Sequence, residues 1–196
     1  MKKETVLFAT VALIVGLLVG ILVTKGGKNS TPTAQAPAAA PAAGMQQNIT
    51  LLEGMVASQP ENRNAWVQLG NAYFDTNQPM KSIEAYDKAL AINADDPNVL
   101  TDQGVMFRAV GWYDRAVENF SKAYELSPNH LQSLFNLGIV YRYDLQDFAK
   151  AKEAWEIYLS LNPSGPQAGQ VRRDMAFLDS HPPLPEGMEN PVPAKP

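Results

Sequence analysis

The sequence predicts an all-α fold: a solenoid of three helix pairs with an N-terminal orphan helix and a C-terminal capping helix, preceded by a single transmembrane helix. Two observations carry this. Residues 45–180 repeat with a period of 34, clearest in Gly70, Gly104 and Gly138, and a period of this size is the mark of stacked helical units. Ahead of them, Thr5 to Val23 is a run of nineteen residues without a charge.

Residues 1–4 form a short tail, and residues 5–24 form the membrane segment. At about 1.5 Å per residue, nineteen helical residues match a hydrocarbon core of roughly 30 Å. A cleaved signal peptide is the rival reading. Its apolar stretch is usually about 7–15 residues with a small-residue cleavage site directly after, whereas here Lys25-Gly26-Gly27-Lys28 follows. The expectation is a signal anchor. Gly16 and Gly20 give the G-x-x-x-G spacing that allows a helix dimer, although glycine is common in such spans. Lys2 and Lys3 nearly balance Lys25 and Lys28. Orientation therefore rests on the four-residue stub, which suits an N-terminus in the cytoplasm. The soluble part is then expected in the periplasm, anchored to a bacterial inner membrane.

Residues 25–44 form an Ala/Pro-rich linker, with Pro32, Pro37 and Pro41 and no apolar face to bury, so no continuous helix is expected there. Residues 45–62 make a half-repeat, in which Ile49, Leu52, Met55 and Val56 form an apolar stripe ending before Pro60. The units occupy residues 63–96, 97–130 and 131–165. In each, a large residue stands four before the glycine (Trp66, Leu100, Leu134) and an aromatic three after it (Tyr73, Phe107, Tyr141). The second half supplies Ser82, Ala116 and Ala151, then Tyr86, Phe120 and Trp155. Small residues let two helices cross closely, and the aromatic fills the adjoining space. The third unit carries one extra residue near Leu145–Phe148, which should bulge its turn.

Residues 166–180 read as a capping helix. Pro166 suits its first turn, Val171, Met175 and Leu178 share one face, and Arg172, Arg173 and Asp174 turn to water. Residues 181–196 contain six prolines and read as a disordered tail.

Trp66-x-x-Leu69-Gly70-x-x-Tyr73 reproduces the signature of the tetratricopeptide repeat, and the later units keep it with changes such as Gln103 for the leucine. The chain resembles that family over roughly residues 46–180. The resemblance implies that the first helix of each pair lines a concave surface that holds a peptide. Carried over by position, the groove residues are Gln68, Asp102 and Asn136 two before the glycines, and Asn71, Val105 and Ile139 directly after them. Phe74, Arg108 and Arg142 stand four after, and Val67, Thr101 and Phe135 three before. Arg108 and Arg142 are the expected carriers of binding, suited to an acidic or C-terminal segment. The plainer account pairs each with a nearby carboxylate such as Asp102 or Asp144. The clamp of the chaperone-binding members is largely missing: Asn71 fits it, but Val67 and Asp102 replace a lysine and an asparagine, and Gln132 and Asn136 replace further cations.

Composition narrows the partners. Residues 1–28 hold four lysines against one glutamate, whereas the rest holds twelve Lys/Arg against nineteen Asp/Glu. An acidic domain repels phosphate backbones, so nucleic acid is not an expected partner. No cysteine is present, which excludes disulfides and thiolate chemistry. The two histidines, His130 and His181, read as solvated loop residues, and Asp95-Asp96 before Pro97 read as a helix cap. No enzyme, cofactor or metal site is expected. The expected function is a membrane-anchored adaptor for a protein or peptide client, in envelope protein assembly or cytochrome c biogenesis. The alternative is a self-associating, homo-oligomeric scaffold.

Overall fold

The computed structural model of this 196-residue chain describes residues 40–180. The expected membrane segment with Gly16 and Gly20, the linker up to residue 39, His181 and the proline-rich tail lie outside the described residues. Eight α-helices and no strands occur among them: α1 Ala40–Ser58, α2 Arg63–Asp75, α3 Pro79–Ile92, α4 Pro97–Ala109, α5 Tyr113–Leu126, α6 Leu131–Ile139, α7 Phe148–Leu161 and α8 Ala168–Ser180. These are an orphan helix, three pairs and a cap.

The helix starts repeat as strictly as the glycines. Asn62, Asp96 and His130 stand 34 residues apart as N-caps, and each accepts a backbone N–H of the turn that it opens. Asp96 accepts from Asn98 and Val99 at 3.0 and 3.1 Å. His130 is thus no solvated loop residue: its Nδ1 accepts from the Ser133 N–H at 3.3 Å, and its Nε2 lies 3.1 Å from Asn98 Oδ1. Burial lowers its pKa, with Asp96 working against that, and the neutral ring can accept at Nδ1.

The pair turns share a device. Asn77, Gly111 and Gln146 adopt positive φ values of 54°, 79° and 55°. In the first two units this left-handed residue ends the helix with a bond across five residues, from Gln78 N–H to Tyr73 C=O and from Trp112 N–H to Phe107 C=O, both 2.8 Å.

The extra residue of the third unit is not stored as a bulged turn. It is taken up in the helix before the turn, where Val140–Asp144 continues α6 as a π-helical segment, with Leu145 N–H bonded to Val140 C=O at 3.0 Å. A wider winding holds the added residue while keeping its backbone bonded, which a looped-out residue would not do.

Packing follows the small-against-large pattern. A Cβ on Gly70 would lie 2.4 Å from the Tyr86 ring, one on Gly104 2.6 Å from Phe120, and one on Gly138 2.0 Å from the Trp155 indole. Tyr86, Phe120 and Trp155 are fully buried as a result, each burial contributing about 1.5–3 kcal/mol. Gln103, in the place of Leu69 and Leu137, is buried with its polar atoms used: its amide donates to Ile83 C=O and Asp87, and its oxygen accepts from Asn119 at 2.8 Å.

Four further details differ from the sequence reading. α1 begins at Ala40, inside the expected linker, because Pro41 stands in its first turn, where a missing N–H costs no helix bond. Met55 is exposed, while Ile49, Leu52 and Val56 make the buried stripe. Trp66 is only partly buried, with its indole N–H donating to Pro60 C=O at 2.8 Å. The cap helix begins at Ala168, two residues late, since Pro166 falls in the turn that precedes it.

Candidate peptide groove

The first helices of successive units, α2, α4 and α6, touch one another, whereas the second helices pack chiefly on the first helices. That difference bends the stack, with the first helices on the inner side. Exposed Gln68 and Asn71 stand on this face, with partly buried Val67, Phe74, Val105, Phe135 and Ile139 beside them. The apolar members also pack on the core between helices. Phe135 faces the Tyr158 ring at 6.1 Å between centroids. Thr101 does not reach the groove surface: it is buried, its hydroxyl donates to Pro97 C=O at 2.7 Å, and it backs His130. A β-branched hydroxyl one turn into a helix satisfies itself on the preceding carbonyl.

Each of the two expected groove arginines is held by a carboxylate from further along the chain. Arg108 Nε lies 2.5 Å from Asp144 Oδ2 and its NH2 3.3 Å from Oδ1, a forked pair between the second and third units. The π-helical segment carries Asp144. Arg142 NH1 lies 2.7 Å from Asp174 Oδ1 on α8, a close charge contact without the alignment of a hydrogen bond. Its guanidinium also stacks over Tyr143 and Phe177 at 4.7 and 4.8 Å from the ring centroids. Asp174, expected to face water, is instead nearly buried by this contact and by the Tyr143 hydroxyl at 3.2 Å. Arg63 completes the set, bonded to Asp96, the N-cap of α4. Burial works against ionisation of Asp96, but Arg63 and two backbone N–H groups hold its carboxyl below the usual range.

The N-terminal half of the groove contains a depression of about 250 Å³ lined by Asn71, Phe74, Asp75, Tyr86 and Asp102. The Tyr86 hydroxyl donates to Asn71 Oδ1 at 2.7 Å. Burial, reinforced by Asp96 and Asp75, pushes the Asp102 carboxyl up to about 6. Burial and Asp102 also push up the Tyr86 phenol. Asp75 and Tyr86 were not among the expected groove residues. Asp75 could have been found, since it lies four residues after Asn71 on the same helix face. The Tyr86 phenol could not, because its ring reads as core and only its oxygen emerges. Among the described residues, no group of three or more histidine, aspartate or glutamate side chains could hold a metal ion. No helix among them is long and apolar enough to cross a membrane.

Known proteins agree with this geometry. The heat-shock protein cognate co-chaperone sgt12 of Aspergillus fumigatus is 30% identical over 124 residues, which are 62% of this chain and 36% of sgt12. The chain thus spans about a third of that relative. The crystal structure of MamA superposes with a TM-score of 0.66 at 18% identity, covering 71% of this chain and 80% of MamA. The first TPR of Spaghetti (RPAP3), bound to the HSP90 peptide SRMEEVD, superposes with a TM-score of 0.55 at 21% identity, over 60% of this chain and 93% of that one. Tetratricopeptide repeat models match residues 64–96, 98–130 and 132–165, one for each helix pair. With three matched units stacked on close glycine–aromatic crossings, this chain belongs to the tetratricopeptide repeat family.

Proposed function

We propose that this chain is a non-enzymatic adaptor that holds an extended segment of a client protein in the groove of α2, α4 and α6. One observation carries the reading: the inner face keeps exposed amides at Gln68 and Asn71 beside an open depression, where a capped, self-contained stack would need none. Amide side chains can bond the backbone of an extended peptide whatever its sequence. RPAP3, of the same fold, holds a peptide, which supports the mode of binding and leaves the client open. Residues 5–24 would tether the adaptor to a bacterial inner membrane, with the repeats in the periplasm, a reading supported by the uncharged run from Thr5 to Val23. Envelope protein assembly or cytochrome c biogenesis is the corresponding setting, proposed from this architecture alone.

Site-specific photocrosslinking in cells tests the groove. A photoreactive residue at Gln68, exposed on the inner face, should give a discrete heterologous adduct, and one at exposed Lys88 on α3 should not. Adducts from Lys88 alone would move the binding face to the second helices. Adducts at multiples of the chain's own mass would favour a homo-oligomeric scaffold.

A further inference from the structure

The groove carries the opposite charge from the one its arginines suggest. Arg63, Arg108 and Arg142 are each consumed by a carboxylate of the neighbouring element, Asp96, Asp144 and Asp174. Asp75 and Asp102, in contrast, have no ion-pair or hydrogen-bond partner among the described residues, and both line the same depression. Asp102 is the partly buried one. An unpaired carboxylate withdrawn from water is costly, and a cation brought to it recovers part of that cost.

We propose that this depression is a subsite for one cationic side chain, arginine or lysine, of the peptide held in the groove. Its walls suit that occupant. Partly exposed Phe74 offers aromatic surface for the stem, the emergent Tyr86 oxygen adds a polar edge, and Asp102 and Asp75 supply the counter-charge. The repeat places the charge at one point only. Gln68, Asp102 and Asn136 occupy equivalent positions, so a single carboxylate stands between two amides. The ligand this pattern fits is a segment with one basic residue among neutral ones, and a carboxylate-rich segment would meet repulsion. The raised Asp102 carboxyl fits a site built for a positive charge that the chain itself does not provide.

The inference rests on the groove reading, and the test separates the two. Full-length chain is titrated with fluorescent extended nonapeptides that differ only at the central residue: arginine, citrulline or glutamate. Arginine should bind about tenfold tighter than citrulline, the size expected of one charge-assisted contact, and glutamate weakest. Asp102→Asn should bring the ratio of arginine to citrulline binding close to one, and the preference in the natural chain should fade below pH 6. Equal binding of arginine and citrulline, or a preference for glutamate, overturns the subsite and leaves the groove standing, provided that Gln68→Trp still blocks binding. Binding that survives Gln68→Trp, or no binding of any peptide, overturns both.

Discussion

Arg142 of the last repeat reaches Asp174 of the cap helix at 2.7 Å, with its guanidinium also over the rings of Tyr143 and Phe177. The Arg142 and Asp174 side chains are only 11% and 13% exposed, so the contact works as a clasp rather than as a solvated pair. Arg142→Ala leaves Asp174 nearly buried without its counter-charge and should cost about 2–3 kcal/mol, measured by urea unfolding. Asp174→Ala should cost a similar amount, and the double variant clearly less than the sum. Additive losses would show that the two side chains do not act as a unit.

The glycines separate into two kinds. A methyl group on Gly138 would collide with the buried Trp155 indole, whose N–H is tied to Phe135 C=O at 3.2 Å, so the ring cannot swing away. Gly138→Ala should destabilise by about 2–4 kcal/mol. A methyl group on Gly54 of α1 meets nothing within 4 Å. Gly54→Ala should therefore stabilise by about 0.5–1 kcal/mol through helix propensity. Paired thermal melts read both signs, and a mild Gly138→Ala would mean that the third crossing is looser than its distances.

These glycines show why so much of the fold was legible in sequence. A close crossing admits one residue type, so Gly70, Gly104 and Gly138 mark themselves, and the aromatics opposite follow. The groove was less legible. Position placed Asn71 and Asp102 on the inner face, but whether an arginine stays free depends on carboxylates 32 to 36 residues away, such as Asp174 and Asp144, brought near only by stacking. The π-helical segment was hidden as well. Sequence counted one extra residue, and its location is decided by backbone bonding, for which Val140 to Asp144 carry no distinctive side chain.

Asp102 makes stability depend on pH. Its carboxyl is raised in the folded chain from 3.8 to about 6, chiefly by burial. The folded state therefore holds that proton more tightly, and the contribution, full below pH 4, is lost as pH rises through 6. Asp102→Asn removes the loss. Discounted for partial solvent exposure, the variant should be about 1 kcal/mol more stable than the natural chain at pH 7.5 and no more stable at pH 4. An advantage that is the same at both values would rule out the carboxylate as its source.

Asp96 shows the reverse dependence. Its carboxyl is lowered in the folded chain, where it caps α4 and binds Arg63. Its contribution is present at neutral pH and is lost as pH falls below its usual value of 3.8. Asp96→Ala should cost about 1–2 kcal/mol at pH 7, and Asp96→Asn, which keeps a capping acceptor, about half of that. Both differences should shrink at pH 3, as followed by circular dichroism melts.

The wider winding of Val140–Asp144 makes the three units non-interchangeable. Removing the one residue that it stores would turn every later side chain by about 100° about the helix axis. Asp144 would then no longer point back at Arg108. A copy of the second unit grafted in place of the third would keep the glycine crossings yet sever that link. Modularity here belongs to the apolar spine, while the charged fastenings between neighbours are individual to each joint.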